Sequence, residues 1–258
     1  MSQRMPVVFV GHGSPMNAVE DSAFSEGWKK IAADIPVPKA ILMVSAHWMT
    51  EGSFVNDSAS PKMVYDMYGF PEELYAVKYN APGSAELAHR VQSLLNGTSV
   101  DNTWGIDHGA WSVLRRMYPK ADIPVVQLSV DMTKDAAYHF NLGKALAPLR
   151  DEGVLVIASG NVVHNLSRVD WNMDGGYDWA RQFDSYITSA VKEHRFSDVI
   201  HYEKAGSCAQ KSFTTPDHFF PLLYVLGASD GEDEVRVYNN ECTLGAISMT
   251  CFVIGKQV

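Results

Sequence analysis

The segment PVVFVGHGSP, residues 6–15, joins a short apolar run to a glycine–histidine–glycine turn. The segments AILMVSAHW, residues 40–48, and GVLVIASGNVVHN, residues 153–165, likewise pass from an apolar run to a histidine. Runs rich in Val, Ile and Leu with little polar alternation are typical of strands that are covered on both faces. The sequence therefore predicts buried strands over Pro6–Val10, Ala40–Ser45 and Gly153–Ser159.

Further strands and helices fill the chain between and after these segments. A fourth buried strand is predicted at Ile123–Val130, and the more alternating run Gly245–Ile254 predicts an edge strand. Several predicted helices follow a residue that caps helices well, such as Ser84, Asp107 or Thr215. The predicted helices are Ser84–Leu95, His108–Tyr118, Asp135–Arg150, Asp178–Glu193 and Pro216–Leu226. This alternation predicts an α/β fold of three layers, with a largely parallel or mixed central sheet and helices on both faces.

Composition and charge exclude several classes of function. The 258 residues carry a formal net charge of -9 and no run of Lys and Arg, so nucleic acid and anionic membrane surfaces are not expected partners. No apolar run is long enough for a signal-peptide core or a membrane span. The three cysteines, Cys208, Cys242 and Cys251, form no CxxC pair, which favours a reducing compartment. We therefore expect a cytoplasmic protein whose residues 1–258 form a single catalytic domain.

Residues 51–83 form a long, aromatic segment without a clear helix or strand pattern. Segments of this length inside a compact domain are often functional loops. A surface insertion with short extra strands is an equally good interpretation.

Histidines gather where the predicted strands end. His12, His47 and His164 each follow a strand, and His108 and His218 lie at predicted helix starts. Ligands of open α/β sheets bind outside the carboxyl ends of the strands. A single histidine after a strand is more often structural than a ligand, but several in one crevice favour a metal site with open positions for substrate.

Five motifs around these histidines resemble the 4,5-DOPA extradiol dioxygenase family, within the LigB-like class III ring-cleaving dioxygenases. They are GHGSP (residues 11–15), SAHW (45–48), DHGAW (107–111), ASGNVVHN (158–165) and PDHFFPLLYVLGA (216–228). The resemblance is collinear and covers nearly the whole chain. It is weakest around residues 195–213.

The resemblance implies roles for the five histidines. It makes His12 and His47 metal ligands and places His218 where the wider superfamily has its third ligand. It places His164 at the acid/base position, close enough to join the metal at rest, and it matches His108 to a histidine that handles substrate. Four aromatic residues are candidates for a wall of the substrate site, and core packing is the expected role of at least two of them: Trp48, Tyr65, Phe70 and Trp111.

Counting coordination positions limits the metal chemistry. A catecholate needs two positions and O₂ one more, so an octahedral metal keeps room for three protein ligands during turnover. We therefore expect His164 to leave the metal, or never to bind it, and to act as the base. One divalent ion per chain is expected, with Zn²⁺ compatible with the donors as found and Fe²⁺ needed for turnover, because zinc has no redox chemistry.

Two other functions remain open from the sequence. The same histidines suit a zinc hydrolase, and some LigB-like relatives are non-enzymatic binding proteins that have lost the metal site. The expected partners are a catechol such as L-DOPA and O₂, and the protein is expected to be a monomer or a small homo-oligomer.

Overall fold

The computed structural model describes residues 4–256, so the first three and last two residues of the predicted domain lie outside it. Its strands are β1 (Val7–Gly11), β2 (Ala40–Thr50), β3 (Phe54–Val55), β4 (Ser99–Val100), β5 (Val125–Asp131), β6 (Val154–Gly160), β7 (Val235–Tyr238), β8 (Cys242–Thr243), β9 (Ile247–Ser248) and β10 (Cys251–Ile254). Its α-helices are α1 (Ala23–Ala33), α2 (Glu72–Tyr75), α3 (Ala85–Leu94), α4 (His108–Met117), α5 (Ala136–Leu146), α6 (Asp178–Lys192), α7 (Phe196–Ile200), α8 (Ala209–Ser212) and α9 (Phe220–Ala228). Short 3₁₀ turns cover Pro15–Ala18, Ala147–Arg150, Leu166–Arg168, Tyr202–Ala205 and Pro216–His218.

The main sheet has eight strands in the order β4-β3-β5-β2-β6-β1-β10-β7. Its four central strands, β5, β2, β6 and β1, are parallel to one another. The strand next to this centre on each side, β10 beside β1 and β3 beside β5, runs antiparallel to it. The carboxyl ends of the central strands therefore meet at one edge.

Each central strand contributes side chains to two separate cores. In β1, Val7 and Phe9 pack into the core beneath α3, α5, α6 and α9, whereas Val8 and Val10 pack into the core beneath α1 and α4. Successive side chains of a strand point to opposite faces of the sheet, so a strand buried on both faces must be apolar at every position. This explains the lack of alternation in the sequence and confirms the predicted α/β class with its mixed sheet.

Several predicted boundaries change in the structure. Strand β2 extends to Thr50, because its pairing with β5 resumes at Met49 after an irregularity that begins at Val44. His47 therefore lies within an irregular strand and does not follow a strand end. The run predicted as an edge strand splits into β9 and β10, and β10 is interior, because the unpredicted strand β7 covers it.

The predicted helix at Pro216 also divides. Residues Pro216–His218 form a 3₁₀ turn and α9 begins at Phe220. The Thr215 hydroxyl does not cap the backbone, because it donates to the carboxylate of Asp217. Helix α1, whose capping box joins Ser22 to Ser25, was not predicted.

Residues 51–83 combine both interpretations offered for them. The segment contains the short strand β3 and the single-turn helix α2, and the rest is irregular. Asp66, Met67, Tyr68 and Phe70 line a cavity at the carboxyl edge of the sheet. Among residues 4–256, no helix combines the length and apolar character needed to cross a bilayer.

A buried ion pair ties the chain ends to the sheet. Arg150 donates to Asp233 at 2.7 and 3.1 Å, to the Met5 carbonyl at 2.8 Å and to the Ala228 carbonyl at 3.0 Å. Removing one partner leaves a buried charge without compensation, so Arg150→Met should lower the free energy of unfolding by about 3–5 kcal/mol. Urea unfolding measures this change. Arg90→Met, which breaks the exposed pair with Glu152, is the control and should leave the midpoint nearly unchanged.

His139 should make stability depend on pH. Burial lowers its pKa to about 4, whereas in the unfolded chain it titrates near its ordinary value of 6.5. Between these values the unfolded chain binds a proton that the folded chain does not, so the free energy of unfolding falls as pH drops from 6.5 towards 4, by up to about 1.4 kcal/mol per pH unit. His139→Gln should reduce this slope in urea titrations at several pH values. An unchanged slope would contradict the assignment.

Candidate active site

The five motif histidines approach one another at the carboxyl edge of β1, β2 and β6. His12 follows β1 directly, and His164 follows β6 after a short turn. His108 is the first residue of α4, whose N-terminus is capped by the Asp107 carboxylate. The backbone of His218 is held against the sheet. Its carbonyl accepts a hydrogen bond of 2.8 Å from the amide of Asn161, which directly follows β6. At Gly160 a Cβ atom would collide with this same carbonyl, so only glycine permits the approach.

The ring of His12 has a defined tautomer. Its Nδ1 lies 2.9 Å from the Ser159 hydroxyl, and that hydroxyl donates its own proton to the Gly109 carbonyl at 2.6 Å. The serine oxygen must then accept, so His12 carries its proton on Nδ1 and presents a lone pair on Nε2.

One carboxylate lies between two of the histidines. Asp66 belongs to the 51–83 segment. One of its oxygens lies 3.1 Å from His47 Nδ1, and the other lies 3.0 Å from His108 Nδ1. The contact with His108 Nδ1 is an ion-pair contact that lacks the alignment of a hydrogen bond. The same oxygen accepts from the His108 amide at 3.0 Å. Although burial opposes it, the contacts with His108 and His47 hold the pKa of Asp66 well below its usual range. Asp66 is therefore ionised and orients both rings.

His218 has its own carboxylate. Its Nδ1 lies 2.5 Å from Asp217, which also accepts from Thr215. Its Nε2 is buried and has no hydrogen-bond partner among the described residues. Burial, followed by the neighbouring His164, lowers the pKa of His218 well below its ordinary value, so the ring is neutral and Nε2 carries a lone pair.

The lone pairs converge in a way that suits a cation. His12 Nε2 and His47 Nε2 lie 3.2 Å apart, and His12 cannot donate in this contact. A proton on His47 or a metal ion must therefore lie between them. Burial lowers the pKa of His47, but the contacts with Asp66 and Asp107 outweigh it and raise the pKa above its ordinary value. A metal would take the place of that proton.

The donor set fits a divalent metal ion. Three histidines, His12, His47 and His108, each offer one ring nitrogen. These three nitrogens lie within 4.8 Å of one another and can hold one ion. This grouping contains His108, which the sequence assigned to substrate handling. The His218 ring centre lies 5.1 Å from that of His12 and 5.0 Å from that of His47, so His218 is close as well. Oxygen acceptors behind each ring are the usual support of metal-ligating histidines.

His164 differs from the other four. Its ring stacks on His218 with centres 3.5 Å apart and planes 5° apart, and no hydrogen-bond partner of the ring is found among residues 4–256. Burial lowers its pKa to about 4 against the opposing effect of Asp217. The ring is therefore neutral at pH 7 and lines the cavity.

The histidines open onto a cavity of about 400 Å³, a size usual for small-molecule sites. Of the four aromatic residues proposed from the sequence, Phe70 lines this cavity. The other three do not line it and pack against other aromatic side chains. Trp48 stacks on Trp104 with ring centres 6.4 Å apart, and Tyr65 packs against Trp111 at 5.8 Å.

Sequence reasoning missed the residues that orient the histidines. Asp66 lies in the flagged 51–83 segment, but its neighbours give no sign that it faces a histidine. Asp217 directly precedes His218 and Ser159 ends an apolar run, so both stood inside quoted motifs. Of these two, only Asp217 lies next to a motif histidine in the sequence, because Ser159 contacts His12 across 147 residues.

Comparisons with known proteins agree with this geometry. Residues 6–252 match the family model described as the catalytic LigB subunit of aromatic ring-opening dioxygenase. The chain is similar to a 4,5-DOPA dioxygenase extradiol of Escherichia coli K12, with 45% identity covering 98% of this chain and 96% of the relative. A protein of the same name from Beta vulgaris is 42% identical, covering 93% and 92% of the two chains. The crystal structure of the uncharacterized protein JW3007 from Escherichia coli K12 superposes with a TM-score of 0.86 at 42% identity, covering 98% of this chain and all of that one.

Gly109 sets the space available to the site. A Cβ atom there would lie 2.7 Å from His47 Cδ2 and 2.8 Å from the Ser45 hydroxyl. Gly109→Ala should displace the His47 ring and, at limiting metal, reduce the metal bound per chain at least about tenfold. The reason is that disturbing the residues that support a metal ligand weakens the affinity for the metal about 10–100-fold. Metal content after dialysis measures this. Gly231→Ala, where a Cβ meets nothing within 4 Å, should retain full metal content.

Proposed function

Because the chain belongs to the family of the catalytic LigB subunit of aromatic ring-opening dioxygenases, and is an extradiol ring-opening dioxygenase, we propose that it cleaves a catechol such as L-DOPA. The bond that breaks is the 4,5 bond, next to the two hydroxyls. One catechol and one O₂ give one muconic semialdehyde, with no further reductant. The observation that carries the proposal is the pair of facing Nε2 atoms on His12 and His47 beside an apolar cavity.

We propose that His12, His47 and His218 hold the metal during turnover, with His164 close enough to join it only at rest. The buried Nε2 of His218 supports this choice, because a buried nitrogen without a partner costs free energy that a ligand bond would remove. Fe(II) bound there supplies redox chemistry and the positive charge that acidifies a catechol hydroxyl, whereas Zn²⁺ supplies only the charge.

The remaining two histidines would act on the substrate. The His164 ring has no hydrogen-bond partner among the described residues, so its free nitrogen is available to accept a hydroxyl proton of the catechol. His108 lines the same cavity with Asp66 behind it, which suits a donor of a hydrogen bond to the substrate. Phe70 would contact the ring, while Trp48, Tyr65 and Trp111 would support the wall from behind.

We propose that one domain carries this function in the cytoplasm, as a monomer or small homo-oligomer without nucleic acid or membrane partners. The pairing of β1 with β10 joins the two ends of the described chain in one sheet, which supports a single domain. The buried, unpaired cysteines Cys208, Cys242 and Cys251 and the net charge of -9 are compatible with the other expectations.

Anaerobic loading with Fe(II), followed by oxygen uptake with L-DOPA and simple catechols, tests the proposed reaction. We expect one O₂ consumed per catechol, a yellow product and no uptake with Zn²⁺. Zinc-dependent hydrolysis of an amide or ester without oxygen uptake would instead indicate a hydrolase, and absence of turnover with retained ligand binding would indicate a binding protein.

Single variants separate the roles of the histidines. His218→Ala should lose the metal, whereas His108→Ala should retain it and lose turnover. His164→Ala should retain metal and lower kcat about 10²–10⁴-fold, the usual contribution of a proton-transfer group. His89→Ala, an exposed histidine beside Asp57, is the control and should be fully active. Metal loss in His108→Ala with retention in His218→Ala would reverse the ligand assignment.

A further inference from the structure

The cavity has two chemically different ends. Its inner end holds the five histidines and Asp66. The exposed and half-buried side chains of its outer wall are apolar, namely Tyr68, Phe70, Leu166, Val169, Trp171 and Leu244. The two hydroxyls of a catechol suit the inner end. The outer end therefore meets whatever substituent the ring carries.

The volume leaves room for a sizeable substituent. The cavity measures about 400 Å³, whereas an apolar cavity of about 150 Å³ is sufficient to bind benzene. More than half of the space therefore remains once the ring is placed against the histidines. A substrate without a substituent would leave this apolar space filled with water.

Three exposed apolar side chains surround the mouth. Tyr68 is 90% exposed, Trp171 is 74% exposed and Leu166 is 65% exposed, and all three line the cavity. They come from two separate segments, residues 66–70 and 166–171. Contiguous exposed apolar side chains mark interaction or ligand sites, whereas single exposed apolar residues are common on any surface. Covering these side chains would remove apolar surface from water.

Cationic side chains are missing from the cavity lining within residues 4–256. The nearest candidate along the chain, Arg168, is exposed and does not line the cavity, although it lies in the same segment as Leu166 and Trp171. The one carboxylate of the lining, Asp66, is engaged with His47 and His108. A substrate carboxylate placed at the mouth would therefore meet no opposite charge among the lining residues.

We infer that this mouth selects catechols that carry an uncharged apolar or aromatic substituent, and that the amino-acid group of L-DOPA is not what the site recognises. The inference rests on the proposed function, since it assigns the substrate class of the same site. Tyr68, Leu166 and Trp171 determine this specificity by contacting the substituent, while the histidines act on the diol.

The test compares 4-phenylcatechol and 4-tert-butylcatechol with L-DOPA and 3,4-dihydroxyphenylpropionate on the Fe(II)-loaded enzyme. We expect kcat/KM to be at least about tenfold higher for the apolar pair. On the zinc-loaded protein, which binds without turnover, calorimetry should show the same order of Kd. A preference for L-DOPA would overturn the inference and leave the proposed function standing. Absence of oxygen uptake with every catechol would defeat the proposed function and this inference with it.

Variants at the mouth locate the preference. Trp171→Ala and Leu166→Ala should lower the ratio of kcat/KM for 4-phenylcatechol over L-DOPA several-fold. Arg168→Gln should leave this ratio unchanged, and a specific loss of L-DOPA turnover in that variant would show that a carboxylate is recognised, against the inference. Val37→Ala removes an equally exposed aliphatic side chain that does not line the cavity, and it should behave as the unaltered enzyme.

Discussion

Two imidazole nitrogens that face each other at 3.2 Å are the constraint on which this site depends. Ser159 commits the proton of His12 to Nδ1, so the contact between His12 and His47 is stable only with a cation or an additional proton between the rings. Asp66 prepares the site for either, because its charge lies directly behind His47. The buried carboxylates of the site are therefore part of the metal chemistry as much as the rings that they orient.

The sheet supplies the rigidity that this contact requires. Strands β1, β6 and β2 are parallel and covered on both faces, which places His12, His47 and the turn before His164 at one edge. Strand β2 pairs with β5 both before and after the irregularity that contains His47. Close backbone approach at Gly160 then brings His218 against the same edge. Ligands held by packed strands move less than ligands on free loops, as a reactive site needs.

The cavity has a polar part and an apolar part. The histidine and aspartate side chains that line it are buried or half-buried, and His12, Asp66 and His218 contact polar partners there. The outer end offers only apolar surface from the 66–70 and 166–171 segments. The 66–70 segment also carries Asp66, and the 166–171 segment closely follows His164, so the histidine cluster and the side chains at the mouth are joined by a few residues of chain.

The sequence by itself determined the α/β class, the central strands, most helices and the five histidines that meet. Doubly buried strands must be apolar, and residues that follow parallel strands must share an edge, so local patterns suffice for these features. Only the tertiary structure decided that Asp66 lies between His47 and His108, that Ser159 orients the ring of His12, and that β10 is interior. These facts depend on contacts between distant segments, such as the bond from the His108 amide to Asp66 across 42 residues, and no local periodicity records such contacts. Core packing was expected for at least two of Trp48, Tyr65, Phe70 and Trp111, but only the structure decided that Phe70 is the one that lines the cavity.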